Sequence, residues 1–261
     1  MSKIARAFRD GKAFIPFVTG GYPDLETSEK LILAMVDAGA DMIEIGVPFS
    51  DPIAEGPVIQ EANEQALAAG CTTDRLFDMV ERLREKTEVP LVFLTYINPV
   101  YAYGKERFME RCRRAGIDGL LVPDLPFEEK GEIAPACAQY GIDLIPLITP
   151  TSRERILRIA AEAQGFVYCV SSLGVTGVRK EIRTDVCTMV SMVRSVSDAP
   201  VAVGFGISTT EQAADMADLS DGAIVGSAIV KLIAEHGRES IGPVAEYVKK
   251  MKAAVRKQEN C

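Results

Sequence analysis

The stretch Ala38-Gly39-Ala40-Asp41-Met42-Ile43-Glu44-Ile45-Gly46-Val47 decides the fold. A glycine behind a helical segment supplies the left-handed residue that ends a helix. The run Met42–Val47 that follows is almost continuously apolar, as a strand covered on both faces must be. The corner recurs as Ala115-Gly116-Ile117-Asp118 and as Tyr140-Gly141-Ile142-Asp143, each leading into another apolar run. Eight runs of this kind punctuate the chain: Phe14–Val18, Met42–Val47, Leu91–Tyr96, Gly119–Val122, Leu144–Ile148, Phe166–Val170, Val201–Phe205 and Ala223–Val225. The segments between them carry helical period, with Leu76, Val80 and Leu83 on one stripe and Ile133, Cys137 and Tyr140 on another. Strict strand–helix alternation of this length predicts an α/β protein, a (β/α)8 TIM barrel forming a single domain over residues 1–261, with extra short helices and a small leading helix. A doubly wound open sheet is the alternative.

The whole-chain arithmetic agrees. At 261 residues, 48% hydrophobic and 25% charged, the chain is long enough for one barrel and ordinary for a globular protein. A formal net charge of −8 argues against a general nucleic-acid surface, which needs clustered Lys and Arg. It leaves room for a small phosphate ester held by backbone N–H groups. No apolar stretch reaches the roughly 18 residues of a membrane span. The start, Met1-Ser2-Lys3-Ile4-Ala5-Arg6, runs into no apolar segment of the secretory kind, so the expected compartment is the cytoplasm. The six cysteines at 71, 112, 137, 169, 187 and 261 include no Cys-x-x-Cys pair and read as reduced thiols.

A barrel places its chemistry at the C-terminal ends of the strands. Glu44 lies inside a run that both the barrel interior and the helices should cover. There it is either salt-bridged or a carboxyl whose pKa is raised for acid–base work. The following loop, Val47–Pro57, exceeds the usual 2–6 residues, carries three prolines and offers Asp51 and Glu55 as further carboxylates. It reads as a lid, a partner-binding loop or a rigid turn. Tyr168 falls on the face shared by Phe166 and Val170, as core or as a site residue. Glycine clusters at Gly174–Gly177, Gly204–Gly206 and Gly226-Ser227 follow three adjacent strands, where barrels frequently bind phosphate. No Lys lies in the eight runs for Schiff-base chemistry, and the single histidine, His236, reads as a surface residue. Carboxylates, a tyrosine and a phosphate cradle suggest cofactor-free proton transfer on a phosphorylated substrate.

The motifs Phe14-Ile15-Pro16-Phe17-Val18-Thr19, Glu44-Ile45-Gly46-Val47-Pro48-Phe49-Ser50-Asp51-Pro52, Gly174-Val175-Thr176-Gly177, Gly204-Phe205-Gly206-Ile207 and Val225-Gly226-Ser227 carry a resemblance to the tryptophan synthase alpha chain family along essentially the whole length. The resemblance implies a carbon–carbon lyase that splits indole-3-glycerol phosphate into indole and glyceraldehyde 3-phosphate. It implies no metal and no cofactor in this chain, and a beta-chain partner carrying pyridoxal phosphate in an alpha2beta2 tetramer. Carried over by position, Glu44, Glu55 and Tyr168 are catalytic, and Phe17, Leu94 and Phe205 hold the indole. Gly177, Gly206, Gly226 and Ser227 bind the phosphate, Thr176 belongs to a lid, and Pro48, Asp51, Pro52 and Asn98 face the partner. Two positions depart from the family: Glu55 stands where its best-known members have Asp, and Ser172 where some have Arg. The alternatives to the lyase are a non-catalytic activating subunit and a phosphoribosyl-type isomerase on the same barrel.

Overall fold

The structure, a computed structural model, describes residues 2–171, 179–204 and 206–256, the side chains of 179–184 excepted. Its strands are β1 (Ala13–Thr19), β2 (Ile43–Gly46), β3 (Leu91–Leu94), β4 (Gly119–Leu121), β5 (Asp143–Leu144), β6 (Leu147–Ile148), β7 (Val167–Val170), β8 (Val201–Gly204) and β9 (Gly222–Val225). Every pairing is parallel, in the order β5-β4-β3-β2-β1-β9-β8-β7-β6. The two ends of that order are halves of one barrel strand. Between β5 and β6, the Ile145 N–H donates to Leu120 O at 2.8 Å, and Pro146 O accepts from the Tyr168 N–H at 2.9 Å. The ring of eight therefore closes through the chain itself, giving the expected (β/α)8 barrel. Leu144–Ile148, read as one run, is interrupted because Pro146 has no N–H for the ladder. Leu91–Tyr96 is shorter than its apolar run: β3 stops at Leu94, and Tyr96 is the N-cap residue of the helix Ile97–Tyr103.

Two apolar layers follow from the alternation of side chains along each strand. Ala13, Ile15, Met42, Val92, Leu121, Phe166, Ala202 and Ile224 point inward and fill the barrel. Ile4, fully buried on the leading helix Lys3–Arg6, closes that interior from below, against the first residue of β4. Their neighbours Phe14, Ile43, Phe93, Leu120, Cys169 and Val203 point outward and pack under the helices. A Cβ at Gly204 would lie 2.5 Å from the Tyr168 hydroxyl, and one at Gly46 would lie 2.8 Å from the Phe17 ring. These two glycines leave the interior volume that the aromatic rings occupy.

The repeated corners work as the sequence suggests, and the aspartates of the first two, with Asp221, add a clamp. Gly39, Gly116 and Gly141 take φ of +99°, +87° and +70°. Asp41 accepts the Phe14 N–H at 2.7 Å and pairs with Lys252. Asp118 accepts the Leu91 N–H at 2.9 Å and pairs with Arg84. Asp221, at the foot of β9, accepts the Val201 N–H at 2.9 Å and pairs with Arg194 at 2.9 Å. Each carboxylate thus satisfies the N–H at the start of a neighbouring strand and ties it to a helix cation. Among the described residues no helix is long and apolar enough to cross a membrane.

Candidate active site

A cavity of about 420 Å³ opens at the C-terminal ends of the strands. β1 contributes Phe17, β2 Glu44, β3 Leu94 and β7 Tyr168, and the loop after β2 contributes Glu55. The opposite wall is Gly206 with Gly226 and Ser227, where β9 gives way to the helix Ser227–His236. The described candidate residues for acid–base work, indole and phosphate therefore meet in one place. Phe205, Thr176 and Gly177, with Ser172, lie outside the described residues.

Glu44 points inward because it lies two residues after Met42, which fills the barrel interior just before β2. It is 3% exposed, and its Oε1 has no hydrogen-bond partner. Salt-bridging, the bland explanation of a carboxyl here, does not apply among the described residues. Burial, and then the charge of Glu55, push its pKa up to about 8. At neutral pH such a group holds a proton it can give away.

Glu55 is positioned from outside its own loop. The Tyr96 hydroxyl donates to Glu55 Oε2 and itself accepts the Ala54 N–H at 2.9 Å. Gln60 Nε2 donates to Glu55 O at 2.8 Å, and the Phe49 and Tyr96 rings lie 5.4 Å apart. Burial raises the Glu55 pKa, the Tyr96 hydrogen bond opposes that, and Asp124 adds to the rise. Burial, followed by the charge of Glu44, holds the Tyr168 phenol well above its ordinary pKa, so it stays neutral.

At the other end, Gly206 has φ of +73°, outside the usual range of a residue with a side chain. The next turn is pinned twice: the Ser208 N–H donates to Gln212 Oε1 at 2.8 Å, and the Tyr247 hydroxyl donates to Ser208 O at 2.9 Å. Gly226 frees the first N–H groups of a ten-residue helix to face the cavity, the arrangement that receives anions.

The expected partner face divides. Asp51 and Asn98 are exposed, whereas Pro48 and Pro52 are half-buried. Ile53, 78% exposed, and Tyr101, 43% exposed, lie on the same two segments. His236 is exposed at the end of its helix, as expected. Cys71, Cys112, Cys137, Cys169 and Cys187 are free thiols, and the described residues hold no cluster of metal-ligating side chains.

Sequence reasoning missed two residues of the site. Tyr96 was hidden at the end of an apolar run and looked like strand. Lys231 lines the cavity one helical turn beyond Ser227. Its i, i+4 spacing from a phosphate candidate was a usable signal.

Comparison with known proteins places this geometry. The family model described as tryptophan synthase alpha chain matches residues 4–259. The tryptophan synthase alpha chain of Lacticaseibacillus casei is 48% identical over 255 residues, covering 98% of this chain and 96% of that one. The alpha chain of Alkaliphilus metalliredigens is 48% identical over 245 residues, covering 93% of this chain and 92% of that one. The crystal structure of the Legionella pneumophila alpha chain superposes with a TM-score of 0.89 at 32% identity, over all of both chains. A chain of M. tuberculosis tryptophan synthase in its aminoacrylate-bound form gives 0.88 at 33% identity, covering 98% of this chain and 100% of that one.

Proposed function

The chain belongs to the tryptophan synthase alpha chain family, and from that membership we propose that Glu44, Glu55 and Tyr168 carry its reaction at the cavity described above. The reaction is the retro-aldol cleavage of indole-3-glycerol phosphate to indole and glyceraldehyde 3-phosphate. Glu44 is the general acid. Its proton passes to indole C3, giving an indoleninium whose ring accepts electrons. The hydroxyl on the adjacent side-chain carbon loses its proton, Glu44 assisting in that removal. The C–C bond then breaks: its electron pair restores the indole ring, and the side chain leaves as the aldehyde. Glu55 balances the positive charge that develops at the indole nitrogen. Tyr168, kept neutral, sits beside the reacting carbon.

Phe17 and Leu94 are the apolar walls for the indole ring. The phosphate lies at the opposite end, against the Gly206 turn and the helix that Ser227 opens. One observation carries this assignment: a buried, unpaired Glu44 carboxyl with its pKa raised to about 8, on the wall of a cavity it shares with a second carboxylate. The alternative of a merely activating subunit gives no reason to keep such a group.

The chain itself has no cofactor in this reaction; pyridoxal phosphate belongs to the beta chain. The exposed surface formed by Asp51, Ile53, Asn98 and Tyr101 is the partner face, and the assembly is an alpha2beta2 tetramer. The test is indole release from indole-3-glycerol phosphate by wild type and Glu44→Gln, each alone and with beta chain. Wild-type release that rises with the partner and a loss of about a thousandfold in the variant are expected. Near-normal turnover by Glu44→Gln would remove Glu44 from the mechanism.

A further inference from the structure

We propose that Lys231 is a substrate-binding residue of this cavity, the cation that receives the phosphate group of the substrate. The inference rests on the reading that the Gly206 and Gly226 end of the cavity takes phosphate.

The cavity is electrically lopsided. Its acidic lining residues are Glu44 and Glu55, and Lys231 is the only cationic one among the described residues. Lys231 lies four residues after Ser227 on the helix Ser227–His236, and so on the same face one turn along. Side chains of a helix lean back toward its N-terminus, which carries the ammonium toward the turn where N–H groups are free. Lys231 is exposed and, among the described residues, has no ion-pair or hydrogen-bond partner. Many of the chain's other lysines are paired: Lys30 with Glu26, Lys86 with Glu29, Lys130 with Glu162 and Lys252 with Asp41. An unpaired lysine at the rim of a cavity is available to a ligand.

The charge balance gives it a task. A phosphate dianion approaching a chain of net charge −8 meets repulsion, and the Glu55 carboxylate in the same cavity adds to it. Helix N–H groups contribute partial charges only. One full positive charge at the rim offsets that repulsion and selects phosphorylated over neutral glycerol side chains. The Glu55 carboxylate at the far end disfavours the same anion there, so the substrate enters in one orientation.

The experiment measures steady-state cleavage with beta chain present, and competitive inhibition by inorganic phosphate, for wild type, Lys231→Met, Lys231→Arg and the charge control Lys249→Met on the last helix. Lys231→Met should raise KM and the phosphate inhibition constant together by about tenfold, with kcat falling less than about threefold. The effect should shrink as salt rises from ~0.05 to ~0.5 M, because the ammonium is exposed. Lys231→Arg should restore both constants to within about threefold, and Lys249→Met should move neither. If phosphate inhibits wild type and Lys231→Met equally, Lys231 is no part of the site and the phosphate end stands. If phosphate fails to compete even on wild type, the phosphate end itself is wrong and the proposal falls with it.

Discussion

Replacing Glu44 with glutamine should stabilise the protein while destroying its activity, and the gain should depend on pH. The Glu44 pKa is about 8 in the folded chain against an ordinary 4.5, raised first by burial. Below pH 4.5 the carboxyl is protonated in both states, and the full stability of the fold is present. Between 4.5 and 8 the unfolded chain releases the proton while the folded chain keeps it, so stability falls as pH rises. At about 1.4 kcal/mol per pH unit the whole window corresponds to about 5 kcal/mol. The amide of the Glu44→Gln variant has no proton to lose in this range and escapes the decline. Water entering the cavity returns part of the sum, so about 2 kcal/mol is the expected advantage of the variant at pH 7.5. For a chain of this size that is roughly 4–8 °C in Tm. The assay is thermal unfolding of both proteins by circular dichroism at pH 4.5 and 7.5, without ligand. Coincident melting at the lower pH and a more stable variant at the higher one are expected. A variant less stable at pH 7.5, or an equal offset at both pH values, would refute the idea that burial of this carboxyl opposes its ionisation.

In the proposed mechanism the same proton sets the kinetics. On that mechanism kcat/KM should fall by about tenfold per pH unit above pH ~8, where Glu44 meets the substrate already ionised; a pH profile of kcat/KM with beta chain present reads this directly. Tyr96→Phe removes the hydroxyl that holds Glu55 and the Ala54 N–H, and should lower kcat by about ten- to a hundredfold with little change in Tm. Gly204→Ala drives a methyl into the Tyr168 hydroxyl, 2.5 Å away, and should cost about 1–3 kcal/mol in urea unfolding. Gly204→Ala with Tyr168→Phe should recover part of that loss.

The barrel was legible because a strand buried on both faces must be written in apolar residues, and eight such runs have few other uses. Glu44 was legible for the same reason: a carboxyl in a segment with no exposed face has to be explained. Tyr96 was not, because tyrosine is at home in strands and nothing in Thr95-Tyr96-Ile97 says that the chain turns there. Its contact with Glu55 spans 41 positions of sequence, beyond any local pattern. The corner aspartates were visible as a repeat, but their task was not. The N–H groups that Asp41 and Asp118 accept lie 27 residues earlier in the chain, on the adjoining strand. Pro146 was in plain view inside a run, and only the pairing of Leu120 and Tyr168 with its flanks shows why the barrel tolerates it.

That divided strand makes the barrel's compliance uneven around its circumference. β1 has seven residues, all buried, and pairs on both sides with four-residue strands. β5 and β6 have two residues each, with a proline between them. Glu44, Phe17 and the Gly226 turn thus hang from the stiff arc β9-β1-β2. Tyr168 hangs from β7, next to the soft seam. Amide hydrogen exchange should be slowest at Ile15 and Ile45 and fastest among the strands at Leu147 and Ile148. An arrangement of this kind keeps the proposed proton donor and the proposed phosphate anchor in fixed relation. The strain of admitting the proposed bicyclic substrate would then fall on the sector of the wall where a proline divides the strand.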